Sequence, residues 1–125
     1  MSDTKKAVLI VEDDSFLQGL VSRKLNSEGH NVFIAGSSTD VTRVLQHQKV
    51  DLILLDLLLP RVDGFEILKQ LRENEDTAKT PVIVFSNLSE EKDIKKAQDL
   101  GISAFMIKSN FTLDELSEKI TEVLK

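Results

Sequence analysis

The sequence contains no cysteine, which excludes disulfides, thiolate zinc sites and thiol redox chemistry. It has only two histidines, His30 and His47. That is too few for an all-protein transition-metal site, so a metal would have to be a hard cation held on oxygen ligands. Long apolar runs are also missing. The charged start Met1–Lys6 leads into an apolar stretch that stops at Glu12, too short for a signal peptide, and no stretch is long enough to span a bilayer. Basic residues are in deficit, 16 against 21 acids, giving a net charge of −5. This argues against nucleic acid as a partner and against insertion into, or attraction to, an anionic membrane. There is no internal repeat, linker or low-complexity segment. The expectation is one soluble, cytoplasmic domain covering residues 1–125, with no output domain, and its 41% hydrophobic content is enough for a single core.

What is present is organised around the run Val50–Pro60, apolar except for Asp51 at its start and one carboxylate inside it, Asp56. A short apolar run with polar or turn residues on either side reads as a strand buried on both faces. Similar strands are expected at Ala7–Val11, Asn31–Ala35, Pro81–Phe85 and Ser103–Ile107. Helical spacing separates them: Leu17, Val21 and Leu25; Val41, Val44 and Leu45; Phe65, Ile67, Leu68 and Leu71; Ile94, Ala97 and Leu100; Leu116, Ile120, Val123 and Leu124. Gly29 and Gly101 read as helix stops, Asp63-Gly64 as a helix start, and Ser89-Glu90-Glu91 as another. Ser37 to Asp40 offer several N-caps, and Thr112 with Glu115 forms a capping box. Five alternations of strand and helix predict an α/β fold, a parallel sheet with right-handed crossovers and helices on both faces.

In such a sheet the carboxyl ends of the strands share one rim, where ligands bind. The strand ends bring there Glu12, Asp13, Asp14, Asp56, Ser86 and Lys108. Closely packed carboxylates repel unless a cation intervenes, and an oxygen-only donor set suits Mg²⁺. Mg²⁺, lysine and hydroxyl together would hold a phosphoryl group, with a carboxylate as acceptor. Taken singly, Ser86 reads as a turn residue, Lys108 as a solvated charge, and Asp13 or Asp14 as a cap of the first helix, Asp14 being the better candidate. A lone carboxylate in a buried strand has no such simple explanation, because its burial is unfavourable unless it is paired.

Four segments together resemble the receiver domain of two-component response regulators: Val8–Asp14, Leu55–Gly64, Val84–Ser86 and Phe105–Lys108. The resemblance covers essentially the whole chain. It implies a flavodoxin-like (βα)5 domain with strand order 2-1-3-4-5. It implies that Asp56 is the phosphoacceptor, taking its phosphoryl group from a sensor histidine kinase or a histidine phosphotransfer protein. Asp13 would be the direct Mg²⁺ ligand beside Asp56, Glu12 would help through water, and the backbone carbonyl of Leu58 would be the third protein ligand. Ser86 would be the hydroxyl that moves toward the phosphoryl oxygens, Lys108 the lysine that pairs with them, and Phe105 the aromatic switch. The output surface would be the fourth helix, fifth strand and fifth helix, facing a downstream protein target, with the chain a monomer or a phosphorylation-dependent dimer. Such a protein is a phosphoacceptor, not an ordinary enzyme, although it promotes its own phosphotransfer and dephosphorylation.

The sequence departs from that pattern in places. Ser109-Asn110 follow Lys108 where the family usually has proline, so a trans Lys108–Ser109 bond is expected. Asn87 stands where a small residue is usual, Phe105 lacks a hydroxyl, and apolar Leu58 and Leu88 flank the site. The two leucines are expected to slow attack of water on the phosphoryl group. Competing readings are a phosphorylation-independent binding module of the same fold, a flavodoxin-type flavin protein, and an aspartyl phosphohydrolase. Glu12-Asp13-Asp14 would repel a flavin phosphate, and Leu58 stands where such a hydrolase places its second acid.

Overall fold

The strand ends that matter for the site are set by a five-stranded parallel sheet with the spatial order Asn31–Ala35, Ala7–Val11, Leu52–Leu55, Val82–Ser86, Ala104–Ile107. Its strands are β1 (Ala7–Val11), β2 (Asn31–Ala35), β3 (Leu52–Leu55), β6 (Val82–Ser86) and β7 (Ala104–Ile107). Between them come α1 (Ser15–Ser27), α2 (Ser38–His47), α3 (Gly64–Glu73) and α4 (Glu91–Leu100), and α5 (Leu113–Leu124) closes the fold. The computed structural model describes residues 6–125. The first five residues, most of the charged start Met1–Lys6, lie outside them. Counting only the strands of this sheet, the order is the 2-1-3-4-5 of a flavodoxin-like (βα)5 domain, as expected.

Side chains alternate across the sheet with period two. Leu9, Val11, Ile53, Leu55, Val82 and Val84 join one core cluster, with Val41 of α2, Ile67, Leu68 and Leu71 of α3 and Ala97 of α4. Val8, Ile10, Leu52, Leu54, Ile83 and Phe85 join the other, with Val21 and Leu25 of α1 and Leu116 and Ile120 of α5. Both faces of the central strands are therefore covered, which explains why they read as continuous apolar runs.

The helix ends follow local chemistry. Asp14 caps α1, accepting from the amides of Phe16 and Leu17; Ser37 caps α2; Asp63 caps α3; and Thr112 and Glu115 complete their capping box on α5. Gly29 (φ 92°) and Gly101 (φ 98°) take the left-handed region just past α1 and α4. α4 starts within Ser89-Glu90-Glu91, as expected, with Glu91 and Asp93 in its first turn, but no side chain caps it.

The stretch Val50–Pro60 also differs, because it is not one strand. β3 ends at Leu55, and Leu58–Leu59 (β4) turns back on Val62–Asp63 (β5) as a two-stranded antiparallel ribbon. The cause is local. The Asp56 carboxylate accepts the Leu58 N–H at 2.9 Å, an Asx-type turn that pulls the chain out of the ladder. Pro60 has no amide to donate, and Arg61 adopts φ 67° at the tip. Gly64 then lets α3 pack directly under this turn, since a Cβ at that position would lie 2.4 Å from the Leu57 Cα. Gly64→Ala should therefore destabilise the domain by about 2 kcal/mol or more, because backbone rather than a side chain must give way. Urea denaturation measures this, and a change within a few tenths of a kcal/mol would contradict the packing described.

Candidate functional site

Glu12 follows β1, Asp56 follows β3, and Lys108 follows β7 at the start of a short 3₁₀ turn, Lys108–Asn110. All three meet at the carboxyl rim. The Lys108 Nζ lies 2.7 Å from Glu12 Oε1 and 2.8 Å from Asp56 Oδ2. Lys108 is thus no solvated surface charge: its side chain is 17% exposed, and those of Glu12 and Asp56 are 5% exposed. In the sheet order, β6 lies between β7 and β3. Two strand spacings are about 10 Å, so the lysine must reach over the end of β6, the strand that finishes in Ser86.

Both oxygens of Asp56 are engaged, Oδ1 by the Leu58 N–H and Oδ2 by Lys108. The carboxylate is therefore held in one orientation. Glu12 is fixed as well, its Oε2 accepting the Asp14 N–H at 3.1 Å, and the Gln18 side chain donates to the Glu12 carbonyl. Asp13 is exposed, but its carboxylate lies within reach of the same spot. Carboxylate oxygens of Glu12, Asp13 and Asp56 all lie within 4.8 Å of one another. At an effective dielectric constant of about 20, two charges that far apart repel by roughly 3 kcal/mol. Three acids against one lysine leave two uncompensated negative charges, which one divalent cation would neutralise. The donor set is oxygen only, as Mg²⁺ or Mn²⁺ prefers, so the residues present fit such an ion.

The titration behaviour follows from this crowding. Burial raises the Glu12 pKa above its ordinary 4.5; the bonds from Lys108 and the Asp14 amide oppose that shift, and the Asp56 charge adds to it. For Lys108, burial works against the charge, yet the hydrogen bonds to Asp56 and Glu12 prevail and the pKa rises above 10.5. Folding therefore favours protonation at both groups. The Lys108 contribution to stability is complete below about 10.5 and is lost as pH rises through its folded-state value. The Glu12 contribution is complete below 4.5 and is lost as pH rises through its own raised value.

Ser86 is fully buried at the end of β6, but it is not joined to Asp56. Its hydroxyl accepts the Leu88 N–H at 3.4 Å, within its own loop. Phe105 sits half-buried on β7 against the core cluster that also takes Leu88. Leu58 is 51% exposed and Asn87 is exposed. The Lys108–Ser109 bond is trans, as the missing proline suggests; there is no cis peptide bond among the described residues. Three supporting groups were not legible in the sequence: the Leu58 amide on Asp56, the Gln18 amide on the Glu12 carbonyl, and the close approach of Gly64 to Leu57. The first and third depend on backbone path, which residue type does not encode. The second spans a strand-to-helix turn.

Lys108→Met would leave Glu12 and Asp56 buried side by side with no cation. The expected loss of stability at pH 7 is about 3 kcal/mol. It should shrink as pH falls toward the raised Glu12 pKa, because protonation of Glu12 relieves the repulsion, and added Mg²⁺ should restore part of it. Thermal unfolding at pH 5 and pH 7, with and without Mg²⁺, measures this. A loss independent of both would show that the acids do not repel as described.

Comparison with known proteins agrees with this geometry. The family profile described as the response regulator receiver domain matches residues 8–121. The transcriptional regulatory protein KdpE of Staphylococcus aureus is 37% identical over 113 residues, which is 90% of this chain and 47% of that protein. The chain thus spans about half the length, or less, of the curated relatives it matches. The Mn²⁺-bound response regulator Rcp1 superposes with a TM-score of 0.79 at 29% identity, covering 94% of this chain and 91% of that one. The phosphorylated cyanobacterial phytochrome response regulator RcpA gives a TM-score of 0.81 at 27% identity, with coverages of 95% and 91%. With five parallel strands in this order, the acids and lysine on one rim, and the profile matched over residues 8–121, the chain belongs to the response regulator receiver domain family, whose members are signalling modules of two-component systems.

Proposed function

We propose that this domain accepts a phosphoryl group on Asp56 from a phosphohistidine of a sensor histidine kinase or a histidine phosphotransfer protein. The observation that supports this most strongly is the state of Asp56: buried at a strand end, fixed through both oxygens, and beside two further acids and one lysine. In the reaction a carboxylate oxygen of Asp56 attacks phosphorus in line. A P–O bond forms, the P–N bond to the imidazole breaks, and the leaving ring keeps that electron pair and can take up a proton. Asp13 and Asp56, the backbone carbonyl of Leu58 and, through water, Glu12 are the proposed holders of Mg²⁺. When bound, the ion shields the incoming phosphoryl oxygens from the acids.

The remaining work falls to the chain. The Leu58 N–H keeps Asp56 aimed. Lys108, already at the carboxylate, is placed to pair with a phosphoryl oxygen once one is attached. Ser86 is proposed to exchange its bond with Leu88 for one to the phosphoryl group, and Phe105 to follow inward by packing alone. The signal would leave through α4, β7 and α5 toward a protein target, as a monomer or as a dimer formed on phosphorylation. The reading places the domain in the cytoplasm; no helix among the described residues is long and apolar enough to cross a membrane. It assigns no DNA contact to these residues, in keeping with the net charge of −5.

Intact-protein mass after incubation with Mg²⁺ and acetyl phosphate tests the proposal. The wild type should gain one phosphoryl group, Mg²⁺-dependently, and Asp56→Asn should gain none. The adduct should outlast seconds, and Leu58→Asn should shorten its life several-fold by admitting water beside the exposed rim. Modification of the mutant would move the acceptor away from Asp56, and none of the wild type, with a donor that modifies a control receiver, would instead favour a phosphorylation-independent binding module.

A further inference from the structure

The charge of the chain is unevenly spread. α3 and α4 lie side by side, and a groove of about 600 Å³ runs between them. Lys92, Lys96 and Leu100 follow one another at four-residue spacing along α4, and Phe65 and Lys69 do so along α3. That spacing puts each set on one helix face, and both faces line the groove. Lys95 completes the basic wall. Four lysines against two acids, Glu66 and Asp99, give the lining a charge of +2 on a chain whose net charge is −5.

These cations are poorly neutralised from within. Lys92 lies 3.6 Å from Glu90, and Lys95 lies 3.5 Å from Asp99, all four side chains being well exposed. Exposed pairs of this kind are worth about 0–1 kcal/mol and are easily exchanged for another carboxylate. Among the described residues, Lys69 and Lys96 have no carboxylate within ion-pair distance. Lys96 instead holds its ammonium 4.3 Å from the centre of the Phe65 ring. Phe65 and Leu100 are themselves only half-buried. The groove therefore combines apolar ground with cations that lack strong partners.

We propose that the α3–α4 groove binds an acidic peptide segment of a partner protein, one that also carries an apolar side chain to cover Phe65 and Leu100. Charge complementarity favours this occupant. A nucleic acid, with one charge per ~1.7 Å of duplex, cannot space its charges around Glu66 and Asp99 and brings no apolar side chain to cover Phe65 and Leu100. A second copy of this chain carries the same net negative charge and is repelled at long range. None of Glu12, Asp13, Asp56, Ser86 and Lys108 lines the groove, and the proposal goes beyond the phosphoacceptor reading without depending on it.

Fluorescence anisotropy with the full chain and a labelled peptide of repeated Glu-Glu-Leu tests this. Binding should saturate and weaken strongly between about 0.05 and 0.5 M salt, as screening shortens the reach of exposed charges. Lys69→Glu with Lys96→Glu should weaken it about tenfold or more, the equivalent of roughly 1.4 kcal/mol. Lys79→Glu with Lys125→Glu, outside the groove, should not. Asp56→Asn should bind like the wild type, which separates failure here from failure of the phosphoacceptor reading. The substituted lysines are exposed, and circular dichroism confirms that each variant is folded. No saturable binding, equal loss in both double variants, or tighter binding of a single-stranded oligonucleotide than of the peptide would overturn the proposal.

Discussion

The ammonium of Lys108, placed between Glu12 and Asp56, is the interaction on which the rest of the site depends. It joins the ends of β1, β3 and β7, strands brought to one rim only by the parallel sheet. Two carboxylates this buried and this close would each disfavour the charge of the other without it. The lysine makes their joint burial tolerable but does not balance it, because Asp13 adds a third acid at the same spot. The residual negative charge gives the site a use for a divalent cation and, with that cation bound, for a phosphoryl group.

Asp56 also shapes its own surroundings. By taking the Leu58 N–H it ends β3 and starts the turn that becomes β4 and β5. Gly64 then allows α3 to close up beneath Leu57. Site geometry and local backbone geometry are thus one problem: the carboxylate is aimed by a turn that it helps to form. Next to it, Ser86 and the Leu88 amide form a loop leading into α4, whose first turn has no side-chain cap. A change at Ser86 therefore meets few local bonds before it reaches α4, the helix that also provides most of the basic wall of the α3–α4 groove.

Much of this was legible in the sequence, for physical reasons. The buried runs at Ala7–Val11 and Pro81–Phe85 read as interior strands, and Asp14, Asp63 and Thr112 announced their helices through capping chemistry. The convergence of Glu12, Asp56 and Lys108 followed from the rule that parallel strands end on the same side. Composition could not reveal the break in Val50–Pro60. Its residues before Pro60 read as one apolar run around Asp56, and the break depends on where that carboxylate finds an amide. Nor could it show that Glu12 is bonded directly to Lys108, because that contact crosses the sheet. The Gln18 bond and the tight packing of Gly64 were hidden as well: the first spans a strand-to-helix turn, and the second is a property of the backbone path.

The measurement that tests the account most directly is calorimetric titration of Mg²⁺ into the protein at neutral pH, with Asp13→Asn and Asp56→Asn alongside. Three acids and one lysine at one rim predict a single ion per chain, with binding lost or greatly weakened in both variants. Binding that is absent in the wild type, or equally strong in all three proteins, would contradict the claim that this rim is an incompletely neutralised site built for a divalent cation.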